Sequence, residues 1–250
     1  PAWRARELAD ASGSRARPPV VVTIFVNPTQ FNDASDLTRY PRTPEADLAM
    51  CEDAGADAVF MPEVGDVYPP GGTVRVPPLP AQATGPGLED RLRPGHFAGV
   101  CQVVLRLFEL TRPSVACFGE KDWQQLRVIA AMTESERLAI RIDPVPTVRE
   151  PDGLAMSSRN RFLSPQDRIR ARAVPRALAA VKHGMSIGDA QTAMRRELEA
   201  DGLGVEYAVV RDAETLMLPD EPVVANLPRP LRALIAARCG PVRLIDNAAV

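Results

Sequence analysis

The run VVVTIFVN, from Val20 to Asn27, is the feature that most constrains this chain. A nearly unbroken β-branched and apolar stretch offers no polar face to water, and that pattern marks a strand buried on both faces of a parallel sheet. Three more apolar runs, ADAVFMP, SVACFG and AIRID, read as strands, and helical patterns fall between them. One helix is expected near Glu45 to Ala54, closed by Gly55. A second, HFAGVCQVVLRLFELTRP, is amphipathic and stops before Pro113, and a third is KDWQQLRVIAAMTESERL. Strands alternating with helices imply right-handed βαβ units. The fold class expected is therefore α/β, a Rossmann-like doubly wound parallel sheet. The stretch from Glu63 to Gly95, rich in proline and glycine, is expected to be functional or to carry short elements of its own.

After Ser164 the pattern changes. Two helical stretches, about 165–183 and 188–201, precede VEYAVVRDA, RPLRALIAARC and VRLIDNA, which read as short antiparallel strands. The domains expected are 1–150, α/β, and 151–250, a smaller α+β domain behind a hinge near Pro151.

In doubly wound sheets ligands bind beyond the carboxyl ends of the strands. Three polar segments sit there: NPTQF, GEKDWQQ and VPTVREPDGLAMSSR. In the second, Lys121 and Asp122 open a helix directly after a strand, where backbone N–H groups and the helix dipole favour an anion; a solvated first-turn pair is the competing explanation. In the third, Ser157, Ser158 and Arg159 offer hydroxyls, amides and a guanidinium suited to phosphate. Ser164, Pro165 and Asp167 account for the next helix start and nothing more. Gln30 and Gln125 are two amides that could fix a small polar substrate, or could be surface residues. His96 is a cap, a substrate contact or neither, whereas His183, near a helix end before Gly184, is explained by dipole compensation.

Other classes find little support. The 250 residues carry a net charge of -2, which gives no reason to expect nucleic acid or an anionic membrane as partner. No apolar run reaches the roughly 20 residues needed to span a bilayer, and PAWRARELAD lacks a signal-peptide core. The 4 cysteines lie far apart without a CxxC pair and read as reduced cytosolic thiols, so a cytoplasmic protein is expected. There is no GxSxG elbow, P-loop or GxGxxG.

IFVNPTQF, YPRTPEADL, HFAGV, FGEKDWQQL and VPTVREPDGLAMSSRNRFLS occur in the order and spacing of the pantothenate synthetase family, and the closing RLIDNAAV also resembles it. The resemblance covers nearly the whole chain. It implies an AMP-forming ligase that condenses pantoate with β-alanine using ATP and Mg²⁺. Pantoyl adenylate forms with loss of pyrophosphate, and the amine of β-alanine then displaces AMP. It implies ATP binding by Gly119, Glu120, Lys121, Asp122, Val148, Met156, Ser157, Ser158 and Arg159, with Lys121 and Arg159 catalytic. It implies pantoate binding by Gln30 and Gln125, β-alanine binding by Gln30, a C-terminal lid, and a homodimer.

Three departures from the family pattern carry expectations. The family's strand and PTMGALHxGH segment precede the helix in which this sequence opens, and neither His96 nor His183 matches its histidines. Adenylation is therefore expected to be impaired, since loss of charge-stabilising groups costs about 10²–10³ in rate; a non-catalytic protein retaining the nucleotide and pantoate pockets is the alternative. TPEADLAM keeps Asp47 as a candidate metal ligand but has Ala46 and Met50 where relatives often carry an acid and a glutamine. Trp123 stands where tyrosine is usual.

Overall fold

The computed structural model describes residues 18–30, 43–219 and 230–250, together with Ala5, Glu7, Leu8 and Asp10. Expectations for PAWRARELAD, for the loop from Phe31 to Arg42 and for Arg229 fall wholly or partly outside them. The chain divides into two compact units, Pro1–Gly119 with Val128–Val145, and Glu120–Arg127 with Pro146–Val250.

The first unit is built from parallel βαβ elements. Strand β1 (Val21–Thr23) leads through α1 (Pro44–Asp53) to β2 (Ala58–Phe60), which pairs with it in parallel. Helix α2 (His96–Thr111) follows, ending at Arg112 in the left-handed conformation before Pro113. Strand β3 (Val115–Gly119) pairs in parallel with β4 (Arg141–Val145). Between these two strands runs α3 (Trp123–Ser135), whose first turns, through Arg127, cluster with the second unit. The α/β class is the one the alternation predicts. Among the described residues, however, the strands form two separate parallel pairs.

The expected strand from Val20 to Asn27 is shorter than its sequence suggests, and it is not buried on both faces, since Val21 is 45% exposed. Its ladder runs along one edge only among the described residues. The buried Asn27 side chain then ends the extended run by turning the backbone. The stretch from Glu63 to Gly95 carries single helical turns at Val64–Val67 and Glu89–Leu92 and a 3₁₀ turn at Ala81–Ala83. The core packs Phe97, Val100, Cys101, Val104 and Phe108 of α2 against Val128, Ile129 and Met132 of α3.

The second unit is α+β. Helices α4 (Pro165–Ala171), α5 (Ala173–Ala179) and α6 (Ile187–Ala200) precede strands β5 (Gly204–Asp212), β6 (Leu231–Cys239) and β7 (Val242–Ala249) in an antiparallel sheet of order β5-β6-β7. The helix expected over 165–183 is two helices that break at Arg172 and end at Ala179. Pro175 has no N–H for the carbonyl of Ala171, so it is tolerated only in the first turn of a new helix. His183 consequently lies in a turn beyond the helix end, and Lys182 Nζ instead donates to Ala179 O at 2.7 Å. The core gathers Leu231, Ala233, Ile235 and Ala237 of β6 with Val174, Met194 and Leu198 of the helices. Since strand side chains alternate, Arg232 and Leu234 must face away from that core.

Candidate active site

In the first unit the NPTQ segment is built around one buried side chain. Asn27 is 2% exposed; its amide donates to Gly99 O at 3.3 Å, and its Oδ1 accepts from Thr29 N, Thr29 Oγ1 and Tyr68 OH. Burial pushes the Tyr68 phenol above its ordinary pKa, against the opposing effect of its hydrogen bonds to Thr29 and Asn27. Gln30 closes a 3₁₀ turn, Pro28–Gln30. His96 Nδ1 lies 3.3 Å from Gln30 O. A carbonyl only accepts, so the Nδ1–H must donate, which fixes the tautomer. His96 thus positions the Gln30 loop. Asp47 lies in the first turn of α1, where Thr43 Oγ1 donates to its Oδ1 at 3.3 Å. No group of three His, Cys, Asp or Glu side chains suited to a metal ion occurs among the described residues.

In the second unit Glu120–Asp122 form a 3₁₀ turn before the α-helix proper begins at Trp123. The helix therefore starts one turn later than the sequence pattern suggests. Lys121 Nζ stands 3.9 Å from Asp122 Oδ2. The turn is held by two side chains of the antiparallel sheet. Asn247 Nδ2 donates to Glu120 O at 2.9 Å and to Lys121 O at 3.0 Å. Arg232 donates through Nη2 to Glu120 Oε2 at 3.0 Å and through Nε to Asn247 Oδ1 at 2.6 Å, with its Cζ 3.5 Å from the Trp123 ring centre. The Trp123 indole N–H donates to Ala213 O at 2.9 Å. Burial lowers the Arg232 pKa and the neighbouring Glu120 carboxylate opposes that.

The segment 148–156 folds back as a hairpin. Pro151 and Gly153 take the second and fourth positions of a β-turn closed by Gly153 N–H to Glu150 O at 2.8 Å, and Gly153 adopts φ 89°. Met156 N–H donates to Val148 O at 2.9 Å, which brings these two exposed candidate ATP residues side by side. Ser157 then caps a 3₁₀ turn, Ser158–Phe162, its Oγ accepting from Arg159 N at 3.3 Å. Asn160, 6% exposed, ties the two pieces together, donating to Glu150 Oε1 at 2.5 Å and Ala155 O at 3.1 Å. Arg168 donates to Glu150 Oε2 and Asp152 Oδ2 and holds both carboxyls below their ordinary pKa values. Arg149 makes a two-pronged contact with Asp246, at 2.7 and 3.1 Å. Strand β7 packs against both the Glu120–Asp122 and the Ser158–Phe162 turns. Gln125 lies in the first turn of α3, on the part that clusters with this unit.

The model of the pantoate-beta-alanine ligase family matches residues 7–249. The chain belongs to that family. Pantoate–β-alanine ligases similar to it include the pantothenate synthetase of a Nocardioides species, 49% identical over 92% of this chain and 68% of the relative. That of Myxococcus xanthus is 48% identical over 94% of this chain and 80% of the relative. Among solved structures, pantothenate synthetase from Thermus thermophilus superposes with a TM-score of 0.86 at 40% identity, covering 99% of this chain and 86% of that one. The Francisella tularensis ligase, complexed with β,γ-ATP and β-alanine, has a TM-score of 0.74 at 30% identity over 97% and 84% of the two chains. As a ligase of this family the chain is an ATP-using enzyme.

The residues that sequence reasoning missed are those that hold the ligase segments in place: Arg232, Asn247 and Asp246 from the antiparallel sheet, and Asn160 from within its own segment. Three of them sit in the quoted motifs, Asn160 in MSSRNRF and Asp246–Asn247 in RLIDNAAV. A polar pair in a strand whose neighbouring positions, Leu244, Ile245, Ala248 and Ala249, are apolar was the available signal.

Proposed function

We propose that this chain joins pantoate to β-alanine, with ATP converted to AMP and pyrophosphate, through a pantoyl adenylate. The observation that carries the reading is the family match across residues 7–249. The ligands named for the Francisella tularensis complex, β,γ-ATP and β-alanine, support the choice of substrates.

The residue roles follow from charge and donor chemistry. Lys121, on the turn before α3, and Arg159, on the turn after the hairpin, bring positive charge to the triphosphate. Ser157, Ser158 and the amides of Gly119, Glu120 and Asp122 add donors. Val148 and Met156, neighbours across the hairpin, offer apolar surface for adenine. Gln30 is assigned to pantoate and β-alanine, and Gln125 to pantoate. A pantoate carboxylate oxygen attacks the α-phosphorus, and the bond from phosphorus to the bridging oxygen breaks as pyrophosphate leaves. The β-alanine amine then attacks the acyl carbon, loses a proton, and expels AMP. Lys121 and Arg159 stabilise the negative charge that grows on the phosphate oxygens.

Magnesium enters with ATP. No group of three His, Cys, Asp or Glu side chains suited to a metal ion occurs among the described residues, and the ion would take most of its ligands from phosphate and water oxygens. Asp47 would be the protein carboxylate that contacts it, and the ion would offset phosphate charge. The state proposed is a cytoplasmic homodimer, on family resemblance, and 4 cysteines far apart in sequence without a CxxC pair fit a reducing compartment. No helix among the described residues is long and apolar enough to cross a membrane.

Calorimetry with ATP and with pantoate, beside a pyrophosphate-release assay, tests the reading. Pantoate-dependent release, followed by pantothenate formation on adding β-alanine, is expected. Binding of both ligands with no release would favour a non-catalytic pocket.

A further inference from the structure

Arg232 and Asn247 occupy the face of the antiparallel sheet opposite the helical core. Leu234 pairs with Asn247 across β6 and β7, and Arg232 is two residues from Leu234, so the three side chains share that face. The next pair along it, Ala236 with Ile245, is apolar. Both polar residues are buried, Arg232 at 8% and Asn247 at 3% exposure. Burying an arginine and an amide costs desolvation that well-packed apolar side chains avoid. Stability alone therefore gives a poor account of them.

Their hydrogen bonds give a better one. Each Asn247 amide hydrogen goes to a different backbone carbonyl, those of Glu120 and Lys121, so the turn is gripped at two consecutive peptides. Asn247 Oδ1 is fixed in turn by Arg232 Nε, which settles which end of the amide faces the turn. Arg232 also holds the Glu120 carboxylate and lies over Trp123, so the residues on both sides of Lys121 are immobilised. The preceding residue of β7, Asp246, anchors Arg149 at the base of the hairpin that leads into Ser157–Arg159. Asp246 Oδ1 also accepts from Asn247 N at 2.8 Å.

We propose that Asn247, oriented by Arg232, is a positioning residue for nucleotide binding: it sets the Glu120–Asp122 turn so that Lys121 meets the ATP phosphates. This rests on the reading of Lys121 as a phosphate contact. Displacing such a group by about 1 Å commonly costs up to about 10²-fold, so a loss of roughly tenfold in ATP affinity is the expected scale.

The test is a double-mutant cycle read by calorimetry. Asn247→Asp keeps the acceptor for Arg232 and removes both donors to the turn. It should weaken ATP binding about tenfold and leave pantoate binding within about twofold, a split that general loss of structure would not produce. Placed on Lys121→Ala, the same substitution should weaken ATP no further, because its effect passes through Lys121. Fully additive losses, or equal losses for both ligands, would overturn the proposal while leaving Lys121 as a phosphate contact. An unchanged ATP affinity in Lys121→Ala would overturn that reading and the proposal with it. Should Asn247→Asp fail to fold, Arg232→Lys enters the same cycle: it keeps a charge beside Glu120 but gives up the Nε–H bond to Asn247, and the same non-additivity is expected.

Discussion

Gly99 shows how one residue can be dictated by its neighbour rather than by its own element. Within α2 an alanine would gain up to about 1 kcal/mol in helix propensity over glycine. A Cβ there, however, would stand 2.7 Å from the Thr29 carbonyl oxygen, which belongs to backbone and cannot rotate aside. Overpacking of this kind costs about 1–3 kcal/mol, so the clash outweighs the propensity. Gly99→Ala should lower stability by about 1 kcal/mol and push the Thr29–Gln30 turn away from α2, weakening pantoate binding through Gln30. Urea denaturation and calorimetry with pantoate check both parts. An unchanged midpoint together with unchanged affinity would mean that the turn is not seated on Gly99. The same reasoning applies to His96, whose Nδ1–H is taken up by the Gln30 carbonyl.

At the scale of elements, the hairpin from Val148 to Met156 is locked to α4 by charge. Arg168, in the first turns of that helix, reaches back to Glu150 and Asp152 and depresses both carboxyl pKa values. A depressed folded-state pKa contributes stability that is fully present above the unfolded value, about 4 for these groups. That stability is lost as pH falls through the lower folded value. Arg168→Gln should therefore reduce the urea midpoint at pH 7, and the gap to the unsubstituted chain should shrink steadily below about pH 4. A gap of the same size at pH 7 and pH 3 would refute the assignment. The candidate segments were legible as such in the sequence, because GEKDWQQ places charge directly after one strand-like run and VPTVREPDGLAMSSR follows another. What holds those segments was not. Arg232 reaches Glu120 across 112 positions and Asn247 reaches it across 127, and local pattern carries no record of such partners. By pattern Asn160 is only a polar residue ahead of a helix start, whereas its buried amide pins the loop to Glu150.

For the whole molecule, the alternation of apolar runs and helical patterns was enough to place the chain in the α/β class with an antiparallel C-terminal sheet, since period and crossover length are local properties. The separation of the parallel strands into two pairs among the described residues was not legible, because ladder partners are chosen by tertiary packing. Nor was the clustering of Glu120–Arg127 with residues from Pro146 onward. That clustering places Lys121, Val148, Met156 and Ser157–Arg159 in one unit, so nucleotide binding should act on the folding equilibrium of the chain that carries them. A ligand that binds only the folded state at about 100 times its Kd adds about 2.7 kcal/mol of stability. For a chain of about 150–250 residues this corresponds to a rise in Tm of roughly 5–10 °C. ATP should produce such a rise. Inorganic tripolyphosphate, which lacks the adenine assigned to Val148 and Met156, should produce a smaller one at the same concentration. In Lys121→Ala the ATP shift should fall while the pantoate shift persists. Equal shifts from ATP and tripolyphosphate would remove the adenine role from the hairpin, and an undiminished ATP shift in Lys121→Ala would remove the phosphate role from the turn that Asn247 holds.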